Sequence, residues 1–180
     1  MHMTTVINLI GAPGAGKSTL AAGLFAEMKR RYLSVELVTE YAKDLTYDGH
    51  RSENMDQLAV FAEQHRRIAR LVGKVDYVIS DSPLFLSAYY STKTDYPKSF
   101  THFVLDIAAR YKNMNFLVTR NHRYDPNGRS QDEDGANKIH QELIDFMGGW
   151  DLNYEEILAG DAQPLALFNK LFSPKFILNS

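Results

Sequence analysis

The sequence predicts an α/β protein, a three-layer α/β/α sandwich built on a five-stranded parallel sheet. Three observations lead there. Short apolar runs rich in β-branched residues alternate with longer segments of three-and-four periodicity, the order that gives parallel strands covered by helices on both faces. Between the first strand and the first helix stands Gly11-Ala12-Pro13-Gly14-Ala15-Gly16-Lys17-Ser18, which fits the phosphate-binding pattern G-x-x-x-x-G-K-[ST] without a mismatch. The third apolar run ends in an acid, Asp81, at the sheet edge where open α/β proteins bind their ligands.

Taken in order, Val6-Ile7-Asn8-Leu9-Ile10 reads as a short buried strand and Lys17 to Arg31 as a helix. Glycines in the loop between them admit backbone conformations closed to other residues, so successive N–H groups can turn inward around phosphate oxygens. The helix N-terminus adds its positive end. Lys17, expected to stand exposed in the loop, then reaches the β- and γ-phosphates, and Ser18 offers its hydroxyl to Mg²⁺. Val35 to Thr39 is a second strand, followed at its ligand-binding end by Glu40-Tyr41-Ala42-Lys43-Asp44-Leu45. A long helix is predicted from Ser52 as N-cap, with Met55, Leu58, Ala62, His65, Ala69 and Val72 on its apolar stripe. His65 on that stripe reads as a packed histidine, and Arg66, Arg67 and Arg70 as a solvated face.

Val75 to Ser80 is a third strand, and the following Asp81 is the expected Mg²⁺-side acid, unless it caps the next helix. From Phe85 to Lys98, tyrosines alternate with hydroxyls. The stretch is either a wall for stacking a base or a half-buried helix and loop. Ser99 to Tyr111 reads as a helix with Phe103, Ile107 and Ala108 on one side, and Asn115 to Thr119 as the fourth strand. Arg120 to Asp134 is polar and aperiodic, with turn signals and arginines that suit a lid over a triphosphate or an exposed charged loop. A helix from about Glu133 to Met147, a strand over Asn153–Leu158 and a helix over Pro164–Phe172, capped near Asp161, close the chain.

The 180 residues suit one domain, 1–180, with a lid at about 120–135. With 44% hydrophobic and 23% charged residues the composition is that of a globular protein, and a net charge of −2 supplies no whole-molecule field for nucleic acid. The chain has no cysteine, hence no disulfide framework and no thiolate nucleophile or metal ligand. No apolar run is long enough to span a membrane and no signal peptide is evident, so a cytoplasmic protein with no membrane partner is expected. Met1-His2-Met3 reads as a cloning remnant.

Four motifs together resemble small P-loop kinases of the nucleoside and nucleotide kinase superfamily, in particular the phage and bacterial AAA-ATPase-like branch related to the ribosylnicotinamide kinase domain. They are Gly11 to Thr19, Thr39-Glu40-Tyr41-Ala42-Lys43, Ser80-Asp81-Ser82-Pro83, and Asn127-Gly128-Arg129-Ser130-Gln131-Asp132-Glu133 with Tyr154 and Gly160-Asp161 beyond. The resemblance implies a P-loop NTPase fold with an arginine-bearing lid, ATP and Mg²⁺ as cofactors, and γ-phosphoryl transfer to a nucleoside- or nucleotide-type acceptor. It implies that Gly11, Ala12, Pro13, Gly14, Ala15, Gly16, Lys17, Ser18 and Thr19 hold the nucleotide, and that Ser18 and Asp81 serve the metal. Glu40 becomes the general base, and Arg123 and Arg129 the lid arginines. Two other functions remain open: phosphoryl transfer to polymeric DNA, at a hydroxymethylated base or terminal hydroxyl, and a non-enzymatic nucleotide switch. A motor ATPase is disfavoured, because 180 residues leave no room for its helical lid domain. Monomer and homodimer both remain open.

Overall fold

In the computed structural model, which describes residues 3–51, 55–121, 123–124, 132–160 and 163–173, the strands are β1 (Thr5–Ile10), β2 (Val35–Val38), β3 (Tyr77–Ser80), β4 (Lys112–Thr119) and β5 (Glu155–Leu158). All pair in parallel, in the order β2-β3-β1-β4-β5. β1 is central and buried along its whole length, as an apolar strand covered on both faces must be. Its one polar side chain in mid-strand, Asn8, is satisfied within the sheet. Its amide donates to Asn113 Oδ1 at 2.9 Å and Asn115 Oδ1 at 2.8 Å, while Asn115 donates to the Asn153 carbonyl at 2.9 Å.

The helices are α1 (Lys17–Arg30), α2 (Tyr41–Tyr47), α3 (Gln57–Ala69), α4 (Phe85–Ser91), α5 (Lys98–Ala108), α6 (Glu133–Gly149) and α7 (Gln163–Leu171). Alternate β1 residues divide them between the two faces, because successive strand side chains point in opposite directions. Ile7 and Leu9 pack with Leu24 and Met28 of α1 and Leu167 and Leu171 of α7. Val6 packs with Phe61 and Ile68 of α3, Ala88 of α4 and Val104 of α5, and Ile10 with Leu143 and Met147 of α6. The expected three-layer sandwich is therefore the observed one. Among the described residues, no helix is long and apolar enough to cross a membrane.

Strand boundaries differ from the sequence reading by one to three residues, and α7 begins one residue earlier. Larger corrections concern helix starts and faces. The third helix begins at Gln57, with Asp56 as N-cap accepting from Leu58 N at 2.9 Å and Ala59 N at 3.3 Å; Ser52 lies outside the described residues, as does Asp161. Two apolar series coexist on this helix. Val60, Phe61 and Ile68 are the ones that enter the core, whereas Leu58 is 50% exposed and Val72 40%. The larger Phe61 and Ile68 remove more apolar area from water, which decides the face. His65 is half-buried and packed, stacked on Phe61 and edge-on to Tyr111.

α5 likewise buries Phe100, Thr101 and Val104, leaving Phe103 half exposed. α4 buries Phe85, Leu86 and Tyr89, so the stretch is a helix packed more deeply than the half-buried one expected, with Tyr90 left half-buried. Tyr89 donates a 2.7 Å hydrogen bond to Glu142 of α6, and Lys93 also pairs with Glu142, tying α4 to α6. α2, a helix absent from the sequence reading, follows Glu40 directly.

Candidate active site

The C-terminal ends of the strands bring the singled-out residues to one edge. Asn8, Val38 and Ser80 stand at the same level across β1, β2 and β3. One to three residues further on, the chain reaches Asp81 after β3, Glu40 after β2 and Gly11 after β1. Residues distant in sequence are thus neighbours because the strands are parallel and in this register.

The loop has the form that anion binding requires. Gly14 and Gly16 hold left-handed φ values of 80° and 90°. Gly11 lies so close to β4 that a Cβ there would stand 2.9 Å from the Val118 carbonyl oxygen. Gly16 caps α1 without a side-chain hydrogen bond, and no acid occupies the first turn, so its N–H groups are oriented for an anion. Lys17 departs from expectation: it is half-buried, its Nζ donating to the carbonyls of Gly11 at 2.8 Å and Ala12 at 3.2 Å. The ammonium is thereby held against the start of the loop backbone. Ser18 and Thr19 are exposed in the first turn of α1.

Asp81 is 3% exposed, and its Oδ1 has no hydrogen-bond partner among the described residues. Leaving a buried carboxylate oxygen unpaired costs about 1–3 kcal/mol or more. Capping does not account for it, because α4 is capped by Leu84 with no side-chain bond. A hard cation fits this oxygen and the Ser18 hydroxyl, since Mg²⁺ is held by one or two protein oxygens together with phosphates. Consistent with that sparse donor set, the described residues contain no cluster of three or more His, Cys, Asp or Glu side chains able to hold a metal on their own.

Glu40 occupies the N-cap position of α2 in extended conformation, half-buried, without bonding to the helix. Burial pushes its carboxyl above the ordinary range, and the Asp81 charge pushes the same way, while Lys17 and Lys43 pull it down. Glu40 therefore lies within electrostatic reach of both Lys17 and Asp81. Tyr90 on α4 joins them: burial raises its hydroxyl, as do the charges of Glu40 and Glu142.

The helical spacing of α3 assigns Arg67 to a solvated face, and the structure corrects this. Its side chain is only 20% exposed, bonded to Asp44 at 2.7 Å, Glu63 at 2.9 Å and the Thr39 carbonyl at 3.4 Å, with the guanidinium 5.0 Å from the Tyr41 ring centroid. It ties α3 to the segment carrying Glu40. Gln64 does the same, accepting from Tyr41 N at 3.1 Å. Periodicity gave no signal for either, because both contacts depend on where α2 lies.

Of the lid arginines, Arg123 is exposed, and Arg129 lies outside the described residues. Arg120 is the arginine that the fold sets beside the loop. It donates to Glu133 at 3.0 Å and Asn137 at 2.8 Å, and its guanidinium stands 5.1 Å from the Tyr124 ring centroid. With Ala12, Pro13, Thr119 and His140 it lines a cavity of about 90 Å³. Thr119 Oγ1 is buried there without a partner among the described residues.

A phosphate loop between the central strand and its helix, with a buried acid after the neighbouring strand, one of whose oxygens has no partner among the described residues, defines a P-loop nucleotide-binding protein of the α/β class. The family described as "AAA domain" matches residues 6–163, and the chain belongs to that family. Among curated protein sequences, none matches the chain significantly. Solved structures share its fold. Thymidylate kinase from Ehrlichia chaffeensis is similar over 94% of this chain and 99% of its own, with a TM-score of 0.62 and 16% identity. NadR, solved in complex with NAD and AMP-PNP, is similar over 89% of this chain, with a TM-score of 0.64 and 16% identity. The chain spans 46% of the NadR chain.

Proposed function

We propose that the protein is an ATP-dependent phosphotransferase that moves the γ-phosphoryl group to a hydroxyl or monophosphate of a nucleoside- or nucleotide-type acceptor. The observation that carries this is the grouping of Lys17, Asp81 and a Glu40 carboxyl raised by burial at the phosphate-loop edge of the sheet. The shared fold with thymidylate kinase and NadR supports it. In this reading residues 1–180 act as one domain, in the cytoplasm, where ATP is supplied.

The loop amides and Lys17 bind the triphosphate and stabilise charge spreading onto the β- and γ-oxygens as the phosphoryl group moves. Mg²⁺, which Ser18 and Asp81 would hold, supplies further neutralisation of that charge. Glu40 orients the acceptor and takes the proton released when a hydroxyl attacks, a contribution of about 10²–10⁴-fold. A base has such a proton to take only from a hydroxyl, which makes the hydroxyl the favoured acceptor group. Arg123 and Arg129 close from the lid over the phosphates and exclude water, limiting unproductive hydrolysis.

Transfer to polymeric DNA is the second reading, favoured by an arginine-lined groove that includes Thr39, the residue before Glu40. ADP release measured with nucleosides, nucleotides and hydroxymethylated or terminal-hydroxyl DNA tests both. Acceptor-dependent release is expected with one class. Slow hydrolysis indifferent to every acceptor would leave a nucleotide switch instead.

A further inference from the structure

β2 is an edge strand of the sheet, and α3 runs beside it with Arg66, Arg67 and Arg70 toward that edge. Together they form a groove of about 260 Å³, lined by Leu37, Val38, Thr39, Glu63 and these arginines. We propose that this groove binds a phosphate group of the acceptor, either a phosphodiester of a nucleic acid strand or the phosphate of a free nucleotide. The proposal names a subsite of the phosphotransferase reading and rests on it for its purpose, although binding is measurable without turnover.

Position separates the groove from the ATP site. The phosphate loop follows β1, two strands away in the order β2-β3-β1, or about 10 Å at the spacing of neighbouring strands. Thr39, which lines the groove, precedes Glu40 in the chain, so the groove reaches the segment that carries Glu40. Arrangement distinguishes it from an ordinary solvated face. Glu63 accepts from Arg66 Nε at 2.7 Å and Nη2 at 2.8 Å and from Arg67 Nε at 2.9 Å, fixing both guanidiniums before any ligand arrives. Those bonds hold the Glu63 carboxyl down at about 2, so it stays charged and keeps its grip. Arg67 is further held by Thr39 and Asp44. Three guanidiniums against Glu63 and the Asp44 carboxylate bonded to Arg67 leave one net positive charge. A guanidinium held by one fork still directs its remaining N–H donors outward in a set plane, which suits phosphate oxygens better than a mobile ammonium would. Arg66 and Arg70 stand one helical turn apart, about 6 Å, close to the two steps of 3.4 Å of axis that separate a phosphate from the next but one.

The test compares the wild type with Arg66→Ala/Arg70→Ala and Arg66→Lys/Arg70→Lys. Arg67 is left in place because it braces α2. Binding of a short labelled single-stranded oligonucleotide, of deoxyadenosine monophosphate, and of ATP is measured at low and physiological salt. The alanine pair is expected to weaken oligonucleotide binding about tenfold or more and to flatten its dependence on log salt by about 1.4, with the lysine pair between. ATP affinity and melting temperature should not change. Loss confined to the monophosphate assigns the groove to a free nucleotide. Wild-type protein that binds neither probe, or binding indifferent to both variants, overturns the proposal. A variant-sensitive oligonucleotide affinity without any acceptor-dependent ADP release would keep the groove and remove the phosphotransferase reading.

Discussion

Burial and the Asp81 charge raise the Glu40 carboxyl above its ordinary value of 4.5, and Lys17 and Lys43 offset them only in part. Two outcomes follow for Glu40→Gln. The wild-type kcat should fall on the acid side with an apparent pKa above 4.5, and the variant should lose that limb and about 10²-fold or more in kcat, with ATP affinity little changed. Stability should move the other way. As pH rises through the ordinary carboxylate range, the unfolded Glu40 releases its proton while the folded one retains it, so the folded state loses stability across that window and up to the raised pKa. Glutamine carries no such loss, and Glu40→Gln should melt no lower than the wild type at neutral pH. A kcat profile without an acidic limb would remove Glu40 from the mechanism. Asp81→Asn should weaken Mg²⁺ dependence and turnover together, because an amide is the poorer ligand for a hard cation. Its melting temperature without Mg²⁺ should hold, since Asp81 caps no helix; a drop in melting temperature with unchanged kinetics would return it to a structural role. Lys17→Ala should lower phosphoryl transfer by at least about 10²–10³-fold in a folded protein, a loss that steady-state ADP release reads directly.

Helix α3 shows what an element adds to its residues. Its sequence offers two apolar series at helical spacing, and packing against α4 and the sheet chooses the one containing Phe61 and Ile68. Ile68→Ala, at a position with no exposure, should therefore cost about 2–5 kcal/mol, whereas Leu58→Ala, at 50% exposure, should stay within about 0.5 kcal/mol. Urea unfolding of both variants separates the faces, and equal losses would reinstate the stripe read from sequence. The same choice of face turns Arg67 toward α2 and Thr39 and aligns Arg66 and Arg70 along the edge of β2. For α4, burial of Phe85, Leu86 and Tyr89 gives the helix its packing face, while Tyr90 stays half-buried on the side of Glu40. Composition alone left both uses open, because tyrosines and hydroxyls suit either.

At the scale of the whole molecule, a loop, an acid and a base carried on three different strands become one site only when the sheet is assembled. Ligand that binds the assembled site and not the unfolded chain must stabilise the whole fold. ATP with Mg²⁺ at about a hundred times its Kd should add about 2.7 kcal/mol, or roughly 5–10 °C in melting temperature, and Lys17→Ala should abolish most of that shift. An unshifted wild type would count against the nucleotide site. The sequence by itself determined the alternation of strands and helices, the parallel sheet, and the identity of the phosphate loop with its following helix. Those are written in local periods and in a contiguous motif whose glycines are required by φ and by the closeness of Val118. It also marked Glu40 and Asp81, because both follow apolar runs at chain positions that a parallel sheet sends to one edge. The tertiary structure alone decided which helix faces are buried, that α2 is capped at Glu40, that Lys17 folds back over the loop carbonyls, that one Asp81 oxygen has no partner among the described residues, and that Arg120 stands by the loop. Each of these depends on contacts between segments far apart in the chain, and no local period records such contacts.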